Sequence, residues 1–138
     1  MNRYVKGARG ERELLGKFHE LGYSVIRSAG SGVNSISPDI LVMKNGRGFV
    51  LECKAWDSSS IAIEHEKYEE LKRWEANTTL PTFMAWRMSN IGWFFIRLQE
   101  MHRNEKSWSV TKKEAIRIGR VFENLQLQQG LEPILVQS

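Results

Sequence analysis

Two acids and a lysine, Asp39, Glu52 and Lys54, are the residues whose spacing points to chemistry. They flank Asn45-Gly46, which separates two β-rich runs between Ser37 and Lys54. Both central residues of a type I′ turn need positive φ, which Asn and Gly tolerate, so the stretch predicts a β-hairpin with a two-residue loop. With Lys44 opposite Arg47, counting outward sets Val42 against Phe49, Ile40 against Leu51 and Asp39 against Glu52. Strand side chains alternate, which puts Asp39, Leu41, Val50, Glu52 and Lys54 on an open, armed face and Ile40, Val42, Phe49, Leu51 and Cys53 on a core face. Two opposed carboxylates about 5 Å apart repel one another unless a cation lies between them. Mg²⁺ suits such a pair, because it takes one or two carboxylates together with water and phosphate oxygens at about 2.1 Å. A solvated strand end with incidental charges fits the same spacing.

A third carboxylate comes from another element. From Lys6 to Leu21 the apolar residues Ala8, Leu14, Leu15, Phe18 and Leu21 recur at helical spacing, and Gly22 is placed as a C-terminal cap. Glu11 lies four residues before Leu15 and seven before Phe18, so it faces inward, whereas Glu13 lies four before Lys17 on the solvated side. A carboxylate turned toward a core must be paired, hydrogen-bonded or bound to metal. Glu11 is therefore read as a site residue and Glu13 as a surface residue.

The elements that position these groups follow from period and turn signals. Tyr23 to Ser28 predicts a short strand, and the loop after it, residues 29–37, has neither helical nor strand period. That loop is either a connector or a surface where backbone amides and the Ser31 hydroxyl meet a phosphate. Residues 55–60 read as a polar connection and Glu64 to Ala76 as a helix with Tyr68, Leu71 and Trp74 inward. Thr82 to Arg87 and Gly92 to Leu98 predict a second hairpin around Ser89-Asn90, and Trp108 to Val110 a short edge strand. Trp86, Trp93 and Phe94 are read as core or subunit interface in preference to base-stacking groups. Thr111 and Glu114 form a capping-box pattern ahead of a helix bearing Ala115, Ile118, Phe122 and Leu125. Residues 126–138 lack period and read as a tail. The order α, β, β, β, α, β, β, α predicts one α/β domain over residues 1–138, a mixed β-sheet flanked by helices.

Composition narrows the partners. A chain of 138 residues with 41% hydrophobic and 26% charged content suits one soluble globular domain. No apolar run approaches the roughly 20 residues of a membrane span, and the first residues form no hydrophobic signal core, so a cytoplasmic protein without membrane contact is expected. A single cysteine excludes an internal disulfide, and Cys53 falls on the core face. His19, His65 and His102 show no zinc-ligand spacing. A net charge of +4 and a pI near 9.4 favour a polyanionic partner. Arg3, Lys6, Arg9, Arg12, Lys17 and Arg27 place the basic face N-terminally, whereas Glu64, Glu66, Glu69 and Glu70 make a later segment acidic.

Pro38-Asp39 and, after twelve residues, Glu52-Cys53-Lys54 resemble the PD-(D/E)XK nuclease motif. Taken with Gly7-Ala-Arg-Gly-Glu11-Arg12, Gly22-Tyr-Ser-Val-Ile-Arg27 and Ser31-Gly32, the pattern is similar in order and spacing to the archaeal Holliday-junction resolvase family, chiefly over residues 6 to 56. The resemblance implies a restriction-endonuclease-like nuclease core. It further implies an Mg²⁺-dependent endodeoxyribonuclease, with Mn²⁺ able to substitute, that acts as a homodimer on four-way junction DNA and on no small-molecule substrate. Position by position, Asp39 and Glu52 match the metal-binding acids, with the Cys53 backbone carbonyl beside them, and Lys54 matches the catalytic lysine. Glu11 matches an N-terminal helix acid that holds a second metal or orders the first one's water shell, and Ser31 a loop serine beside the active site. Glu66 falls on a family glutamate, whereas Lys67 stands where glutamine is expected. Lys6, Arg9, Arg12, Arg27, Ser31 and Gly32 are the expected DNA contacts.

Two other functions fit a basic domain of this kind. The same core could cut ordinary duplex DNA, against which stands the lack of any added target-recognition segment in so short a sequence. A non-catalytic DNA-binding protein is the other, against which stands the intact set of Asp39, Glu52 and Lys54.

Overall fold

In the computed structural model of the chain, residues 3–28 and 37–125 are described, with side chains from residue 9 onward. The expected tail, 126–138, lies outside the described residues. Helix α1 (Arg3–Glu20) begins before the expected Lys6 and gives way to Gly22, whose φ of +90° is open to glycine. Strand β1 (Ser24–Arg27) follows, then β2 (Ile40–Lys44) and β3 (Arg47–Lys54). Asn45 (φ 55°) and Gly46 (φ 76°) make the turn between the last two, and the ladder runs Lys44–Arg47, Val42–Phe49, Ile40–Leu51 as expected.

After β3 the chain forms β4 (Ser60–Glu64), α2 (His65–Thr78), β5 (Thr82–Met88) and β6 (Gly92–Arg97). The main sheet has the order β1-β2-β3-β5-β6, antiparallel except for the parallel pair β3–β5. Parallel neighbours need a crossover, and α2 lies within it. Strand β3 is therefore central, between β2 and β5.

The expectation of a single sheet is corrected. Strands β4, β7 (His102–Arg103) and β8 (Ser107–Thr111) form a second sheet in the order β4-β8-β7. Residues 60–64 alternate between exposed and buried, with Ile61 and Ile63 inward, a strand period that runs straight into α2 without a breaker. Trp108 to Val110 thus belongs to this small sheet and not to the edge of the large one. The capping box forms at α3 (Lys112–Ile118): Glu114 N–H donates to Thr111 Oγ1 at 3.1 Å and Thr111 N–H to Glu114 Oε1 at 3.4 Å. That helix stops at Gly119, in the left-handed region at φ 66°, so Phe122 and Leu125 lie beyond it.

Both faces of the large sheet are covered. On one, Leu14 and Phe18 of α1 pack with Ile40, Val42, Phe49 and Leu51. On the other, Tyr68 and Leu71 of α2 join Ile61, Ile63 and Val110 of the small sheet over Met84 and Trp86. The face of Val50 and Glu52, expected to be open, is thus closed over: Val50 is fully buried and Glu52 is 8% exposed. A sheet covered on both sides needs apolar residues on both sides, and this accounts for the aromatic hairpin. Trp86, Trp93 and Phe94 are buried within the chain, the core alternative of the two readings. Among the described residues no helix is long and apolar enough to cross a membrane.

Candidate active site

The site forms where β2 ends short. Pro38 has no N–H with which to extend a ladder, and pairing with β3 stops at Ile40–Leu51. Asp39 is consequently not the ladder partner of Glu52. Its main-chain carbonyl accepts from Ser28 N–H at 2.8 Å, and its Oδ2 reaches around the strand end to accept from Cys53 N–H at 2.8 Å. In an antiparallel strand a residue's N–H and C=O point to the same edge. The Cys53 carbonyl is therefore directed toward the edge where Asp39 lies.

Glu52 stands on the α2 face. Its Oε1 is buried and makes no hydrogen bond of good geometry; Lys67 Nζ, from α2, lies 3.5 Å away as an ion pair. Burial pushes the Glu52 carboxyl up to about 7, the charge of Asp39 adds to this, and Lys67 and Lys54 oppose it. Lys54 emerges two residues further along β3, with Nζ 5.0 Å from the centre of the Trp56 ring.

Glu11 approaches from the opposite side of the sheet. Helix α1 comes close at Gly10, where an added Cβ would sit 3.3 Å from that of Ala55, and this close approach seats the next residue beside the end of β3. Glu11 faces inward as expected and is paired: Arg27 Nε donates to its Oε1 at 2.8 Å. Burial raises its pKa, Arg27 opposes the rise, and Asp39 adds to it. The Cys53 thiol is held well above its usual range, first by burial and then by Asp39, Glu11 and Glu52. The three acids thus surround one strand end. Among the described residues no group of three or more His, Cys, Asp or Glu side chains is placed to hold a metal ion; the charge of Asp39 bears on Glu52 and on Glu11, and Glu11 is paired with Arg27.

Glu13 is exposed, as its helix phase predicts, but it is also tied down. It accepts from Trp93 Nε1 at 2.5 Å and Arg87 Nε at 3.0 Å, fastening α1 to the β5–β6 hairpin. Helix phase placed it outward correctly, but the hairpin edge extends to meet it. Arg9 and Arg12 are exposed. The side chain of Lys6, with Ser31 and Gly32, lies outside the described residues. Lys67 is the site neighbour that periodicity leaves unassigned, although its place four residues before the buried Leu71 puts it on the inner side of α2.

A buried carboxylate oxygen without a hydrogen bond, a second carboxylate at the same strand end and a carbonyl aimed there make an oxygen donor set that fits Mg²⁺. The sequence profile of the archaeal Holliday junction resolvase (Hjc) family matches residues 2–130. The chain belongs to this family. Among its Hjc relatives, the crossover junction endodeoxyribonuclease Hjc of Sulfolobus acidocaldarius is 29% identical over 91% of this chain and 89% of its own. That of Archaeoglobus fulgidus is 28% identical over 76% and 78%. The solved structure of Archaeoglobus fulgidus Hjc, described as a Holliday junction resolvase, superposes with a TM-score of 0.71 at 23% identity, covering 80% of this chain and 88% of that one. A bacterial homing endonuclease shares the fold more distantly, with a TM-score of 0.52 at 9% identity, over 80% of this chain and 76% of that one. The Hjc fold and the restriction-endonuclease-like core expected from the motif are the same architecture: a mixed sheet with flanking helices.

Proposed function

We propose that this resolvase-family protein cuts four-way DNA junctions by divalent-metal-dependent phosphodiester hydrolysis, one active site per chain of a homodimer. The observation that carries the reading is the buried Glu52 Oε1, left without a hydrogen bond beside Asp39 in a chain of this family. Asp39, Glu52 and the Cys53 carbonyl would hold Mg²⁺, or Mn²⁺ in its place. Bound there, the ion supplies Lewis-acid neutralisation of the charge that develops on the phosphate. Asp39 is held in place for this by its hydrogen bond from Cys53 N–H.

Lys54 sits on the Glu52 side of β3, where its ammonium can swing from Trp56 to donate to the attacking water or a phosphate oxygen. Glu11, paired with Arg27, would order water beside Asp39 in preference to serving as a direct ligand. The exposed Arg9 and Arg12 track phosphates and position the DNA without reading its sequence.

The test is to incubate the protein and Mg²⁺ with a labelled four-way junction and with linear duplex of the same sequence, beside Glu52→Gln. Junction cutting by the wild type alone is expected. The distant likeness to a homing endonuclease makes linear duplex the informative second arm, and preferential cutting there would assign the core to ordinary duplex instead.

A further inference from the structure

Lys67 occupies the third position of α2, and its ammonium joins three separate parts of the chain. Nζ donates to the Ser37 carbonyl at 2.8 Å and lies 3.5 Å from Glu52 Oε1, with the side chain 20% exposed. Ser37 immediately precedes Pro38-Asp39, so a single cation links α2, the segment entering the first acid, and the second acid itself. We propose that Lys67 is the built-in counter-ion of the Asp39–Glu52 pair, balancing Glu52 when no divalent ion is bound and opposing the ion that comes to replace it. The inference rests on the metal-dependent reading given above.

A buried carboxylate beside a second carboxylate needs positive charge close by. Lys54 lies against Trp56, and the described ion pair to Glu52 comes from Lys67. The ammonium stays at ion-pair distance because its hydrogen bond is made to Ser37, so Oε1 keeps its lone pairs while sharing a positive neighbour. A divalent ion placed on that oxygen must sit within a few ångströms of Lys67, and like charges at such distances in a partly buried site repel strongly. Lys67 is thus a positioning residue: it holds Ser37 and Glu52 in register and sets how weakly the acids bind metal.

The sign of the effect separates this role from a merely structural one. Loss of a structural support loosens a metal site, whereas loss of a competing cation tightens it. Titration calorimetry with Ca²⁺ and with Mg²⁺ should compare wild type, Lys67→Met, Lys67→Gln, Lys67→Arg and Glu52→Gln. Lys67→Met keeps the aliphatic stem, and Lys67→Gln serves should the methionine variant not fold. Expected are binding about tenfold tighter in the neutral variants, wild-type affinity in Lys67→Arg, and loss of binding in Glu52→Gln. Melting in chelator should show the neutral variants less stable than wild type, with a larger rise in Tm on adding Ca²⁺. Folded neutral variants that bind no more tightly than a metal-binding wild type would overturn the role of Lys67 alone. No binding by any protein, wild type included, would overturn the metal reading and this inference with it.

Discussion

The carboxylate of Asp39 accepts a 2.8 Å hydrogen bond from the main-chain N–H of Cys53, the residue after Glu52, so one acid of the site is fastened to the backbone that carries the other. Asp39→Asn keeps an acceptor oxygen for that N–H and removes only the charge. Asp39→Ala leaves the N–H unpaired. Both variants are expected to lose junction cleavage. The alanine variant should also lose about 1–2 kcal/mol of stability that the asparagine variant keeps. Denaturant melts beside cleavage assays check this, and equal stability of the two would remove the structural role given to Oδ2.

Glu52 makes the unliganded protein less stable as pH rises. Burial pushes its carboxyl up to about 7 in the folded chain, against an ordinary 4.5, so the folded chain holds a proton that the unfolded chain releases between those values. Stability contributed by the protonated form is full below pH 4.5 and is lost as pH climbs through 7. Glu52→Gln has no such loss. In chelator its advantage over wild type should be absent near pH 4, grow to about 3 kcal/mol by pH 8 and then level off. A pH-independent difference would contradict the buried charge as its cause.

Glu11 and Glu13 should separate function from support. Glu11→Gln is expected to slow junction cleavage by about tenfold or more with little change in melting, since the group stands beside Asp39 in the reaction zone. Glu13→Gln weakens the contacts with Arg87 and Trp93, costs about 1 kcal/mol at this partly exposed position, and leaves cleavage near wild type. Single-turnover rates and thermal melts on the same preparations distinguish them.

Salt dependence should grade the arginines. Replacing exposed Arg9 or Arg12 by Ala is expected to reduce the slope of log K against log salt by about one each. Arg27 is partly neutralised by Glu11 and should reduce it by less. Junction titrations across a range of ionic strength provide the slopes, and an Arg27 effect as large as that of Arg12 would show that DNA takes Arg27 away from Glu11.

Paired cutting calls for two sites related by a two-fold axis, since each chain carries one set of Asp39, Glu52 and Lys54. Sedimentation should give twice the 16.0 kDa chain mass. Mixed dimers of wild-type and Glu52→Gln chains should nick a junction once without resolving it.

Local order in the chain was enough for the hairpin, but not for the place of Asp39, which was expected opposite Glu52 and instead lies beyond the end of the ladder. Asn45-Gly46 dictates a turn whose geometry sets the Ile40–Leu51 register, and period-two alternation then assigns Phe49 and Leu51 to one core and Glu52 to the other side. Helix phase likewise turned Glu11 inward, because 3.6-residue periodicity is a property of neighbouring residues. Tertiary structure alone decided what those groups meet. Glu11 pairs with Arg27, Glu13 with Trp93 eighty residues away, and Glu52 with Lys67, because α1 and α2 lie on opposite faces of one sheet. Strand β4 escaped local reading for a related reason: its alternation is too short to stand apart from the helix it joins, and it becomes a strand by pairing with β8. Periodicity states which side of an element faces in, but a polar contact between distant segments depends on how the elements are laid across one another, and only the packed core determines that.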